Sequence, residues 1–491
     1  MTAKRTYQRH HAAAALLLLT SAMTVPASAE TLQGALAKAY ASNPTLTGAR
    51  AGQRAADENV PIQKAGGRPA LDVTGSYSES ILKPTISFTS PQRTVNAQAQ
   101  LSVPIYLGGA VRNSVKAAKV RVAAGQAGLR GTEASIFSQT VAAYMDVIRD
   151  TAIVSLNEAN VNVLQVNLQA TNDRFEVGDL TRTDVAQSES RLALAQSDLQ
   201  TAQANLITSR ENYIALVGEA PDDLEPPPQL PGLPASPNTA VQVALADNPD
   251  IVAAQKQREA RGLDVRAARG SVMPTLSAFT QAGYTNYLDT LDNGSAGGGS
   301  QINKQAAAGL QLTVPLYQGG RPAAQVRQNQ ALESQAMEQE IETERSVIAQ
   351  TRAAYASWQA SLQTIDSSRK AVDAASLSLE GVRAENSVGS RTILDILNAE
   401  QESLSAKVQL VSAQRNAYVA GFSLLAAMGH AEADDLGLDS GALYDPMVNY
   451  DRVKGKWFDW DFDSAPQPVA TRTVDTPAQN ANVDPASSQQ P

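Results

Sequence analysis

Val103-Pro104-Ile105-Tyr106-Leu107-Gly108-Gly109 recurs as Val314-Pro315-Leu316-Tyr317-Gln318-Gly319-Gly320. In both places an alternating run of apolar and polar residues ends in two glycines. After the first, Ala110 to about Thr171 contains no proline. Such a junction reads as a β-strand handed directly to a very long helix, roughly 90 Å at 1.5 Å per residue. Because it is written twice, the duplication decides the fold.

The repetition extends in both directions. Upstream, Asn43-Pro44 recurs as Asn248-Pro249 and Pro69-Ala70-Leu71 as Pro274-Thr275-Leu276, each at a shift of 205. From the junction onward the shift is 211, pairing Tyr144 with Tyr355, Gly178 with Gly389, Asp184 with Asp395 and Gly218 with Gly429. The six extra residues fall between Leu276 and Val314, where Asn293 to Ser300 (NGSAGGGS) reads as a lengthened hairpin turn. The copies span 30–218 and 239–430, each reading helix, β-hairpin, long helix, helix, with hairpins at about 69–106 and 274–317. Between them, 219–238 is a linker, since Pro221 to Pro237 carries seven prolines.

Two periods organise each copy. Val95, Ala97, Ala99, Leu101 and Val103 alternate with Asn96, Gln98, Gln100 and Ser102, and Leu71, Val73 and Tyr77 alternate with Asp72, Thr74 and Ser76. Ala308, Leu310, Leu312 and Val314 do the same in the second copy, whereas Phe279 falls out of phase. Alternation over about ten residues suits a membrane-crossing strand, apolar to lipid and polar to lumen, and equally a half-buried soluble sheet. The long segments instead repeat every seven residues, through Val147, Val154, Val161, Leu168 and Phe175, and again through Leu397, Leu404, Val411, Tyr418 and Leu425. A seven-residue seam winds helices together as a coiled coil.

Composition narrows the function. The 491-residue chain has no cysteine, three histidines of which two are His10 and His11, and only 5% aromatic residues. Disulfides, thiolate chemistry and multi-histidine metal sites are poor expectations, and neither cofactor nor metal is predicted. The net charge of −9 argues against nucleic acid as a partner. Lys4, Arg5 and Arg9, the apolar run Ala12 to Leu19 and Ala27-Ser28-Ala29 make a secretory leader over 1–29. That run is shorter than the about 20 apolar residues of a membrane helix. The exported chain is then soluble or held in a membrane as a β-barrel. Four strands cannot close a barrel, for which about eight are the minimum, so insertion demands several chains.

The leader, the tandem copies and the VPIYLGG and VPLYQGG junctions resemble the TolC family of outer-membrane efflux proteins over about Thr31 to Gly429. The most specific pieces are Arg174-Phe175-Glu176-Val177-Gly178 with Thr183-Asp184-Val185, and Ser387 to Leu397 (SVGSRTILDIL). The resemblance implies a mixed α+β membrane protein: a homotrimer whose twelve-stranded barrel, four strands per chain, sits in outer-membrane lipid above a coiled-coil helical tunnel in the periplasm. It implies a passive duct, not an enzyme, serving an inner-membrane RND or ABC transporter through a periplasmic adaptor (membrane fusion protein). The family's lipoprotein branch carries an acylated cysteine, so this chain resembles the unacylated branch.

By the same resemblance, Val177, Gly178, Val388, Gly389 and Ser390 form the periplasmic tips where the adaptor docks. Glycine suits such a turn because it accepts positive φ. Asp184 and Arg391 stand where the family holds its entrance shut, and Asp395 where it places a ring of carboxylates. Asn398 replaces the second acid of that constriction and Asn386 a gate tyrosine. Small-molecule efflux and type I protein secretion remain alternatives, as does, from another class, a periplasmic coiled-coil adaptor or structural protein. Asp459, Asp461 and Asp463 begin like a calcium loop, but Ser464 and Ala470 stand where that loop needs glycine and glutamate. The tail, 431–491, loses the heptads, and Ala465 to Pro491 reads as disordered. Trp457, Phe458 and Trp460 are expected to anchor the segment before it.

Overall fold

A computed structural model describes residues 30–82, 91–291, 300–438 and 443–483. The leader and nearly all of the Asn293 to Ser300 turn lie outside them. Each copy opens with short helices: α1 (Leu32–Ser42), α2 (Pro44–Asp57) and α3 (Asn59–Ala65) in the first, α6 (Pro237–Asp247) and α7 (Pro249–Arg269) in the second. The hairpins are β1 (Ala70–Glu79) with β2 (Arg93–Leu107), and β3 (Thr275–Asn286) with β4 (Ile302–Thr313). The long helices α4 (Ala110–Glu176) and α8 (Arg321–Ser387) have 67 residues each. They return through α5 (Arg182–Val217) and α9 (Ile393–Met428), each of 36. A last helix, α10, covers Pro446–Val453.

The repeated Asn-Pro is a helix start with a second task. Asn43 and Asn248 cap α2 and α7, their side-chain oxygens accepting from backbone N–H groups of the first turn, with proline at the position that needs no donor. Each amide then donates to the end of its own copy's shorter long helix, Asn43 to the Leu216 carbonyl at 2.9 Å and Asn248 to that of Ala427 at 3.0 Å. One residue thus splices the half-length α5 or α9 to the helix that continues toward the sheet. Its replacement by alanine would remove both a cap and a carbonyl's partner.

The four strands form one antiparallel sheet in the order β1-β2-β3-β4, so the two copies meet at β2–β3. Register puts Leu71 opposite Leu101, Val73 opposite Ala99 and Tyr77 opposite Val95, which gathers the apolar residues on one face. Phe279 pairs with Ser102 and Gly309 and so lies on the polar face. A Cβ on Gly309 would come 3.1 Å from the Phe279 ring. The out-of-phase aromatic is therefore seated over a glycine, which explains both irregularities at once. Pro104 is tolerated because the β2–β3 register shifts between Pro104 and Tyr106, at a bulge where no ladder N–H is required. Leu71, Val73, Leu310 and Leu312 are each more than 60% exposed on this single chain. No helix among the described residues is long and apolar enough to cross a membrane.

Burial is uneven between the copies. α4 buries residues along its length, including Phe137, Val141, Tyr144 and Val154, against α1, α5 and α9. Its equivalent α8 buries few side chains. The neighbours differ: α7 packs on both α4 and α8, whereas α2 and α3 pack on α4. The junction glycines show the same asymmetry. At Gly108 (φ +61°) a Cβ would collide with the carbonyl oxygen of Gly270 and lie 2.7 Å from the Met273 Cβ, whereas at Gly319 (φ +62°) it would meet nothing within 4 Å. The second copy thus has, within one chain, fewer neighbours than the first.

The tail carries α10 and, beyond it, no further strand or α-helix among the described residues. From α10 it stays against the helices, Asn449 donating to the buried Asp57 carboxylate at 2.7 Å. Beyond Ala465 it still makes specific contacts: Arg210 donates to the carbonyls of Asn480 and Asn482, and Gln479 N–H donates to Glu211. These are bonds between tail backbone groups and side chains of α5. Residues 484–491 lie outside the described residues.

Candidate periplasmic gate and docking tip

Both long hairpins end in the same local structure. At the end of α4, Gly178 N–H donates to the Phe175 carbonyl and Asp179 N–H to that of Arg174, at 3.0 and 2.9 Å. At the end of α8, Gly389 N–H donates to Asn386 and Ser390 N–H to Glu385, at 2.9 and 3.0 Å. These are paired Schellman bonds, which need a left-handed residue after the cap, and Gly178 and Gly389 supply φ of +81° and +82°. Val177 and Val388 are the capping residues, with side chains about four-fifths exposed.

The returning helices start with matched capping boxes. The Thr181 hydroxyl accepts from Asp184 N–H while Asp184 Oδ2 accepts from Thr181 N–H at 2.9 Å, and Thr392 with Asp395 repeats the arrangement. The T-x-x-D spacing was readable in the sequence as such a box. Hydrogen bonds from Thr181 hold the Asp184 carboxyl below its ordinary value of 3.8, and those from Thr392, its backbone N–H foremost, do the same for Asp395. A lowered carboxyl stabilises the tip at every pH above 3.8 and stops doing so as pH falls through its depressed pKa. Pepsin nicking at the tips is therefore expected to rise steeply only below that ordinary value. An Asp184→Asn, Asp395→Asn chain should show no such step; an identical step in both chains would dismiss the caps as its source.

Within one chain no ion pair joins Asp184, Arg391 and Asp395. Arg391 donates to Glu385 across the turn at 2.7 Å, and Asn386 donates to the Arg391 carbonyl at 2.7 Å. Arg174 and Asp179 make the matching clip in the first copy at 2.6 Å, with the charges in reverse order. Asp184 and Asp395 each spend Oδ2 on the cap, leaving Oδ1 for another partner. Asn398, which stands where the resemblance places a second acid, accepts from Arg191 of α5 at 2.7 Å. Above it, Glu400 is buried and takes bonds from Asn167 of α4 (2.9 Å) and Arg383 of α8 (3.0 Å). Sequence reasoning missed Arg191, Glu400 and Glu385, because each acts through a residue on another helix or across a turn.

Comparison with known proteins agrees with this architecture. The chain matches the family described as Outer membrane efflux protein over residues 35–219 and again over 240–430. It is 37% identical over 447 residues to the outer membrane efflux protein BepC of Brucella suis, covering 91% of this chain and 95% of that protein. Outer membrane protein TolC of Escherichia coli is 26% identical over 435 residues, covering 85% and 86%. The Campylobacter jejuni CmeC outer membrane channel superposes with a TM-score of 0.71 at 17% identity, covering 86% of this chain and 89% of that one. The fold is that of trimeric channels in which three four-stranded sheets make one twelve-stranded barrel above a helical tunnel. With an exposed apolar sheet face, half-filled repeats and paired helical tips all accounted for, the chain belongs to the outer membrane efflux protein family and is an efflux duct of the outer membrane whose helices lie in the periplasm.

Proposed function

We propose that the chain is the passive outer-membrane component of a tripartite export system, without catalysis of its own. An inner-membrane RND or ABC transporter delivers substrate, and a periplasmic adaptor engages the Val177–Gly178 and Val388–Ser390 tips. The observation that carries this reading is the near-identity of the two tips. Two sequences as different as RFEVGD and ENSVGS build the same Schellman turn and the same capping box. A trimer then presents six equivalent turns to a repeating partner.

The entrance above those tips is a weak electrostatic closure set by Asp184, Arg391 and Asp395, with Asn386 and Asn398 modifying it. Exposed ion pairs are weak because water screens them, which suits a closure that docking must overcome. Arg391→Glu sets a third acid beside Glu385 and Asp395, and single-channel conductance in bilayers is expected to rise, most at low salt where screening is weak. Glu385→Gln removes the clip within the turn but keeps Arg391, so its conductance should stay low. Equal conductance in the two variants would mean that Arg391 only shapes its own turn. Asp395→Asn should preserve closure and reduce block by multivalent cations, since Asn398 offers no second carboxylate.

A further inference from the structure

Two of the chain's three tryptophans and two of its seven phenylalanines fall within residues 457–462, in the sequence Trp-Phe-Asp-Trp-Asp-Phe. Trp457, Phe458 and Trp460 were expected to anchor this segment against the helices. Only Trp457 has a partner of that kind: the Arg68 guanidinium lies 4.4 Å from its ring centroid, and Arg68 also donates to the Lys456 carbonyl at 2.7 Å. Lys64 holds the same segment through the Lys454 carbonyl at 2.6 Å. The other rings point away from the chain, with Phe458 80%, Trp460 85% and Phe462 79% exposed. Soluble surfaces rarely present so many large rings together.

Their location identifies what covers them. Arg68 stands two residues, about 7 Å of chain, before the first residue of β1, Ala70. The helices join the sheet at this end, so it is the periplasmic edge of the membrane-crossing strands. Tyr106 and Tyr317, at the ends of the two junction runs, are exposed at the same level of the fold, 51% and 88%. Two of the three acids among and just after the rings are turned back: Asp463 is held by Arg452 at 2.7 Å and by Lys456 at 3.3 Å, and Asp461 by Lys456 at 3.2 Å. Asp459 has no such partner among the described residues. The carboxylates that would oppose an anionic headgroup layer are thus mostly neutralised, while the rings remain outward.

We propose that Trp457, Phe458, Trp460 and Phe462 enter the headgroup–acyl boundary of the phospholipid leaflet facing the periplasm. There they act as a belt, carried by the C-terminal segment and not by the barrel strands, that fixes how deep the barrel sits. Amphipathic aromatic rings are favoured at that boundary, where one edge meets hydrocarbon and the other water. Arg68 and Lys64 couple the belt to the root of β1, so depth at the belt becomes depth of the sheet. The inference rests on the sheet being the membrane-crossing part.

The test uses the full-length trimer in phosphatidylcholine vesicles whose acyl chains carry bromine near the headgroup. Trp358 packs against Tyr355 in the helical region and is replaced by phenylalanine, so that emission reports Trp457 and Trp460 alone. Quenching of that emission by about twofold or more relative to unbrominated lipid is expected for rings at the interface. Bromine at the chain ends should quench it less. If Trp358→Phe impairs assembly, the same loss is read as the difference between the natural chain and Trp460→Phe. A Leu101→Trp chain lacking all three natural tryptophans serves as the insertion control. Quenched Leu101→Trp with unquenched belt emission overturns the belt and leaves the channel standing, whether the rings are then buried against a neighbouring copy or exposed to water and quenched by iodide. If neither is quenched, the sheet is not in the membrane and both readings fall.

Discussion

A chain carrying both Gly178→Val and Gly389→Val is expected to lose adaptor-dependent export almost completely while still assembling and inserting. The glycines have φ of +81° and +82°, and a Cβ at either would meet nothing within 4 Å. The penalty is therefore the backbone's alone, about 1–2 kcal/mol per residue for an L-residue in the left-handed region and more for a β-branched one. That cost is small beside the packing along two 67-residue helices, so the trimer should survive. It is large for the turn itself, whose paired bonds from Asp179 and Ser390 require the left-handed residue. Single substitutions leave one of the two tips per chain intact and should reduce export less than the pair does. Site-specific cross-linking to the adaptor, measured beside trimer yield, separates the two effects. Undiminished cross-linking in the double variant would place docking elsewhere.

Gly319→Val is expected to cut trimer yield by about tenfold or more, equivalent to about 1.4 kcal/mol, while leaving the unassembled chain's helicity unchanged. Gly108→Val should instead damage the chain before assembly. Both residues have φ near +60°, so the backbone strain is common to both. Only Gly108 is jammed inside one chain, against Gly270 and Met273. The repeat relation puts Ala65 at the position of Gly270, at the shift of 205. By that relation the neighbour's Ala65 segment is expected to meet Gly319 in a trimer as Gly270 meets Gly108, closing a ring of six near-equivalent junctions. The same relation would supply α8 with the neighbour it lacks in one chain. Native mass measurement of both variants decides the matter. A Gly319→Val trimer at normal yield would show that the junction between chains is built differently from the junction within one.

Most of the architecture was legible because it rests on local chemistry. Strand alternation, seven-residue seams, Asn-Pro helix starts and glycine turns each depend on residues within a few positions, and the duplication let each be read twice. Even the out-of-phase position of the sheet was visible in Phe279, although its explanation, Gly309, is thirty residues away on the next strand.

The partners of charged side chains were not legible. Arg391 matched a gate position by its neighbours in sequence, yet its guanidinium has a closer acid in Glu385, six residues back across the turn. Asn398 looked like the loss of an acid and is the acceptor of Arg191, 207 residues away. Nor did the tail's composition show that its backbone bonds to Arg210 and Glu211 of α5.

The sequence by itself determined the elements, their order, their duplication and the need for more than one chain, because periodicity and turn chemistry act over one or two turns of helix or a few residues of strand. Only the tertiary structure decided which polar groups meet: the Asn43 and Asn248 splices, the Asn167–Glu400–Arg383 cluster and the seat of Trp457 on Arg68. Those contacts form between residues that chain proximity does not bring together. Hydrogen bonds and ion pairs need distances near 3 Å and the right direction, which only packed helices and strands can fix.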